Sequence, residues 1–294
     1  MMQSGTRLGQ MAGVMLLCMT LQSGVAQAES DAMAATSGRA ARDEAMRSIP
    51  WRNLDNTERR AVEYVVRNAT MYRRMPTRVI DCDPQVFNFL GQNPEVVTEL
   101  WKLMGVANLD LEKIGPDTYR AKDDAGTSGT MKFLSASWND NAQNTVLVFC
   151  EGTYHGTPLP ADVTARSVLL LRSGSMVETD GRPYVTARLD SFVLVDRWGA
   201  EMVAKTIKPL LINTADHNFT ETMKFVGTFS KTAESNPAGM QRLADRLQKL
   251  DNPTRQGMAR VCAATAARYQ AIGRVHQDGE VRLTARTEEA TPRQ

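Results

Sequence analysis

The sequence predicts an α+β fold in which a curved antiparallel sheet grips one long C-terminal helix, with extra flanking helices on either side of that unit. Three observations carry the prediction. The apolar spacing changes from a helical to a strand-like period near residue 108. A succession of short alternating segments separated by turn residues then runs to Val195. After it comes the longest helical pattern in the chain, residues 198–233, with Val203, Ile207, Leu210, Leu211, Ala215, Phe219, Met223, Val226 and Phe229 in steps of three and four.

Taken in order, the N-terminus has the three parts of a secretory signal. Arg7 lies in a polar lead, Met11–Leu21 is an apolar run, and Ala26-Gln27-Ala28 is a small-x-small site, which sets cleavage after Ala28. The run is short against the roughly 20 residues needed to span a bilayer. Removal of residues 1–28 therefore leaves a chain expected to have no transmembrane segment and to be exported to the periplasm, the cell envelope or the medium. Residues 29–50 are small and polar without a stripe, the pattern of a flexible linker. Residues 51–76 hold one helix, about 56–73, opened by Asp55-Asn-Thr-Glu58 and stopped by Pro76.

Thr77–Cys82 reads as a strand, and Asp83-Pro84 as an N-cap with proline in the first helical turn. Two short helices come next, 84–91 and 94–104, with Gly91 at the break. Six strand-like segments occupy about 108–195. Gly115-Pro-Asp, Gly126–Gly129, Asn139–Gln143, Pro158/Pro160 and Asp180-Gly181 are the turns between them. On the last strand Val185, Ala187, Leu189, Val193 and Val195 share one face, and Thr186, Arg188 and Asp190 the other, which predicts a sheet covered on one side only. Pro209 would kink the long helix. Beyond it, residues 234–275 carry two further helices, and the charged tail 276–294 reads as disordered.

Composition excludes some functions. The formal net charge is +2, with 35 basic residues dispersed among 33 acids, so there is no clustered basic surface for nucleic acid. The three cysteines beyond the signal, Cys82, Cys150 and Cys262, are too few for a disulfide scaffold, and none has a second cysteine or histidine at metal-ligand spacing. No metal and no cofactor are expected. No nucleophile elbow, zinc-helix motif, phosphate loop or dinucleotide fingerprint is present, and no residue is assigned a catalytic role. His155 and His217 read as a loop residue and a solvated helix position; Glu151 matters only if it faces inward, where it would need Arg166 or Arg172 as partner.

The order strand, two short helices, six antiparallel strands and one long helix over residues 77–233 resembles the START-like superfamily, also called the helix-grip or SRPBCC fold. That resemblance implies a bent sheet wrapped around the long helix with an apolar cavity between them. The chain also looks like a family of exported planctomycete proteins of no assigned function, notably in Val203-Ala-Lys-Thr-Ile-Lys-Pro-Leu and Thr214-Ala-Asp-His-Asn-Phe. Neither resemblance transfers catalytic residues. Together the signal, the one-sided sheet and the long apolar helix predict an exported, non-enzymatic protein that binds a small apolar or amphipathic molecule, such as a lipid. The expected lining is Ile207, Leu211, Phe219 and Met223 from the helix, with Trp101 and Phe149. Two other classes stay open: an envelope interaction module with a collapsed cavity, and a cyclase- or dehydratase-like enzyme with Glu151 or His155 buried in the cavity.

Overall fold

The computed structural model describes residues 33–156, 162–179, 181–196 and 208–289, with backbone alone at 208–211, 213 and 272–289. The signal segment 1–28 lies outside the described residues. The elements are α1 (Arg39–Ser48), α2 (Asn56–Asn68), β1 (Met71–Arg74), β2 (Arg78–Asp81), α3 (Pro84–Gln92), α4 (Pro94–Leu103), β3 (Leu109–Gly115), β4 (Thr118–Asp123), β5 (Thr127–Ser137), β6 (Asn144–Tyr154), β7 (Val163–Val177) and β8 (Pro183–Val195). Three helices complete the chain: α5 (Lys208–Ser235), α6 (Pro237–Arg246) and α7 (Asn252–Glu289).

The fold is α+β, built on a curved, open, wholly antiparallel sheet of eight strands. Strands β3 to β8 form a meander, each pairing with the next, as two-residue and short loops between antiparallel neighbours dictate. The far edge is supplied by β1 and β2 together, both on β8, with Arg74 opposite Asp190 and Arg78 opposite Ala187. Pro76 falls in the break between them, where a missing backbone donor leaves no ladder bond unmade.

Several sequence expectations need correction. Helix α2 ends at Asn68, not at 73, because the residues after it find better partners on the sheet. The Thr70 hydroxyl donates to the Val193 carbonyl at 3.0 Å and accepts from the Val195 amide at 3.1 Å, which docks the chain beside β8. The start of α2 is as expected from its sequence, with Asp55 and Glu58 forming a reciprocal capping box. Gly91 is not a break but lies inside α3, where the Trp138 indole occupies the space a side chain would take. The long helix expected over 198–233 is described from Lys208 as α5, and its expected first part, 198–207, lies outside the described residues. The tail expected to be disordered from 276 continues α7 as helix to Glu289.

The largest difference concerns the second face of the sheet. Val185, Ala187 and Leu189 pack with α3, α4, α5, α6 and α7 in one core, as the alternation predicts. The opposite face is not wet. Leu147, Val168, Leu170, Phe192 and Leu194 form a second core with Ala45, Ile49, Leu54, Val62, Val65 and Val66. Residues 39–48, expected to be flexible linker, are thus the helix α1, and α1 and α2 cover that face.

Helix α1 is held by charge as much as by apolar contact. Asp190, wholly buried on β8, accepts from Tyr72 Oη at 2.6 Å, Arg74 Nε at 2.7 Å and Arg172 Nη2 at 2.8 Å. Glu44 of α1 closes the network from above, pairing with both Arg74 and Arg172 and bonding the Ser48 hydroxyl at 3.0 Å. Hydrogen bonding from Arg172 outweighs burial and, with Arg74, holds the Glu44 carboxyl down at about 2 against an ordinary 4.5. A lowered folded pKa contributes stability above the unfolded value that is lost as pH falls towards the folded one. Glu44→Gln is therefore expected to lower the urea midpoint at pH 6, with the gap to wild type closing between about pH 4.5 and 2. A gap independent of pH across that range would refute the assignment.

Candidate functional site

Between the sheet and the helices on its inner face lies a cavity of about 260 Å³. Three helices line it with the same spacing. Phe87, Leu90 and Gly91 come from α3, Pro94, Val97, Thr98 and Trp101 from α4, and Phe219, Thr222, Met223 and Val226 from α5. Each set has the i, i+3, i+4 pattern of one helix face. The floor is the sheet: alternate residues Leu109 and Leu111 on β3 and Leu169 and Leu171 on β7 point inward, with Ala121, Thr130, Met131, Cys150 and Leu189 between.

Of the residues singled out by sequence, Trp101, Phe219 and Met223 line this cavity. Phe149 does not. It alternates with Cys150 on β6 and packs on the opposite face, against the core under α1 and α2. Ile207 lies outside the described residues, and Leu211 is placed only by its backbone, within α5. The wall contributed by α3 and α4 beyond Trp101 was missed, although Pro94, Val97, Thr98 and Trp101 carry its spacing in the sequence.

The lining holds no Asp, Glu, Lys, Arg or His among the described residues. Its one titratable group is the Cys150 thiol, which burial pushes up to about 12, so it is an apolar wall and not a nucleophile. The hydroxyl of Thr98 donates to the Glu95 carbonyl at 3.1 Å and that of Thr222 to the Asn218 carbonyl at 2.7 Å. Each keeps only acceptor capacity towards the cavity. A charged guest would lose its hydration here without a counter-ion, whereas a neutral apolar guest loses nothing of the kind.

Glu151 and His155 stand away from this cavity. Both are exposed; His155 pairs with Asp162, and Glu151 sits opposite Arg166, which itself bonds Asp196 at 2.6 Å. His217 is half-buried on α5, and its neighbour Asp216 is engaged by Arg73, with Nε to Oδ1 at 2.9 Å. Among the described residues no group of three His, Cys, Asp or Glu side chains is placed to hold a metal ion. No described helix is long and apolar enough to cross a membrane.

A larger recess, about 530 Å³, lies on the other face of the sheet beside Asn141–Thr145, Arg172–Met176, Thr186 and Arg188. Size favours it, chemistry does not. Its walls are polar strand ends and a surface loop, and the Arg172 guanidinium is already bonded to Glu44 and Asp190. The smaller site, with its largely apolar wall, is the better candidate for holding a molecule.

The sequence matches no protein-family model, and no curated protein is similar to it. Two solved structures align with about half of it. A conserved protein from Geobacillus kaustophilus aligns with a TM-score of 0.30 at 15% identity, over 52% of this chain and 93% of its own. An uncharacterised protein from Rhizobium leguminosarum aligns with a TM-score of 0.29 at 14% identity, over 51% of this chain and 95% of its own.

Proposed function

We propose that this chain is an exported START-like protein that binds one small, neutral, apolar molecule between the sheet and α5. The observation that carries the reading is the 260 Å³ cavity whose lining is apolar but for three threonines and holds no acidic or basic side chain. An apolar cavity of about 150 Å³ is enough for benzene, so this one suits a guest of about two fused rings or a short chain. The strand order, with the first strands pairing with the last, and the helix pair between β2 and β3 are what a helix-grip arrangement requires. The export part of the proposal rests on the signal pattern of residues 1–28.

The rival reading of an interaction module needs the flanking helices free for a partner. The helices expected to offer that surface, 56–73 and 238–272, instead bury apolar residues: Val62, Val65 and Val66 of α2 against the sheet, and Met240, Ala244, Met258 and Cys262 of α6 and α7 in the inner core, which weighs in favour of the cavity. The enzyme reading required Glu151 or His155 inside, and both are exposed.

Binding of 2-methylnaphthalene, monitored by calorimetry and native mass spectrometry, tests the proposal. Wild type is expected to take up one molecule. Met223→Trp, which fills the cavity from α5, is expected to weaken uptake at least tenfold while costing about 1–3 kcal/mol of stability from overpacking. A folded wild-type protein that takes up no apolar probe would sink the reading. The mass of the protein recovered from cells making the whole chain tests export, since cleavage after Ala28 leaves Glu29–Gln294.

A further inference from the structure

The polar recess on the outer face of the sheet, about 530 Å³, is unsuited to an apolar guest but has a chemistry of its own. Its lining holds two arginines, Arg172 and Arg188, and no Asp or Glu. The two are direct cross-strand partners on β7 and β8. Like charges so placed destabilise a sheet unless something compensates them.

Arg172 is compensated. Its guanidinium bonds Glu44 and Asp190, and the same two acids also take up Arg74. Two carboxylates thus balance two guanidinium groups, and the charge of Arg188 is left over. Half-buried, the Arg188 side chain makes one hydrogen bond, a long one of 3.4 Å from Nε to Thr77 Oγ1, and no ion pair among the described residues. Both of its Nη groups are left for a guest. Their paired donors match the two oxygens of a carboxylate or the oxygens of a phosphate, and such a group would supply the missing counter-charge.

A second feature keeps the recess open. Gly174 stands inside β7, two residues from Arg172 and opposite Thr186, on the face that carries the arginines. Glycine weakens a strand, and in a strand interior it often marks the close approach of a ligand. Packing does not demand it here, since a Cβ at Gly174 would meet only Gln143 Cγ, at an ordinary 3.9 Å. Around this gap the Thr145 and Thr186 hydroxyls and the Gln143 amide make no hydrogen bond with their side chains among the described residues. They suit hydroxyl groups on the body of a guest.

We infer that this recess is a second binding site, for a small hydroxylated molecule carrying a carboxylate or phosphate, with Arg188 holding the oxyanion and Gly174 making room for it. The site lies on the opposite face of the sheet from the apolar cavity and does not depend on it.

Calorimetric titration of the purified protein with D-gluconate, glucose 6-phosphate and glucose tests the inference, the first two separating carboxylate from phosphate. At least one of the two anions is expected to bind at least tenfold more tightly than glucose. Arg188→Gln is expected to lose that preference. Gly174→Val, a substitution that favours a strand but fills the gap, is expected to weaken anion binding at least tenfold while leaving the melting temperature unchanged or raised. If either variant fails to fold, the ¹⁵N guanidinium resonances of Arg188 in wild type decide the matter, since they are expected to move on saturation with the anion and not with glucose. Binding of neither anion, a preference intact in Arg188→Gln, an affinity undiminished in Gly174→Val, or Arg188 resonances indifferent to the anion overturns the site. None of these results touches the apolar cavity, which 2-methylnaphthalene tests separately.

Discussion

Asp190→Ala is expected to lower the melting temperature by roughly 10 °C, corresponding to about 3–5 kcal/mol. The carboxylate is wholly buried and takes three hydrogen bonds, from Tyr72, Arg74 and Arg172. Removing it leaves two guanidinium groups facing each other with Glu44 as their shared acid, and a buried tyrosine hydroxyl with no acceptor. Such a loss reflects the uncompensated charges left behind more than the worth of the ion pairs themselves. Asp190→Asn, which keeps one acceptor oxygen but no charge, should fall between wild type and alanine. Thermal melts of the three proteins read this directly; an alanine variant within about 1 kcal/mol of wild type would mean that the network is not closed as described.

This network also explains why the N-terminal quarter was hard to read. Helix α1 carries only Ala45 as a buried residue within its span, so it lacks the stripe that announces a packed helix. Its hold comes from Glu44 and Ser48 reaching arginines far along the chain, and from Arg42 Nη2 donating to the Val66 carbonyl at 2.8 Å. Long-range polar contacts leave no periodic trace. The strands and the inner helices, by contrast, were legible because each keeps one apolar face at its own period, as with Val185, Ala187 and Leu189.

Phe149 marks where periodicity stops being informative. Thr145–Cys150 is apolar almost throughout because β6 is buried on both faces, with Val146, Val148 and Cys150 on one side and Leu147 and Phe149 on the other. Alternation cannot choose the inward set in such a strand. Helix α2, expected as an extra helix flanking the sheet unit, covers the second of those faces.

A chain beginning at residue 77, where the sequence places the start of the sheet-and-helix unit, is expected not to fold as a soluble monomer. It would lack α1, α2 and β1. Five of the apolar side chains removed, Ile49, Leu54, Val62, Val65 and Val66, are each at most 7% exposed in the intact protein. Each contributes about 1.5–3 kcal/mol by burial, together on the order of 10 kcal/mol, which is comparable to the entire net stability of a domain, about 5–15 kcal/mol. The uncovered surface, centred on Leu147, Val168, Leu170, Phe192 and Leu194, is a contiguous apolar patch of the kind that drives association. Loss of β1 also bares the upper half of β8 as an open edge, with Asp190 to Val193 deprived of their pairing strand. Residues 77–289 should therefore aggregate or bind a hydrophobic dye strongly, with no cooperative melt, whereas 33–289 should melt in one transition. A monomeric, cooperatively melting 77–289 would mean that α1 and α2 are accessory after all, and that the sheet tolerates a wet outer face.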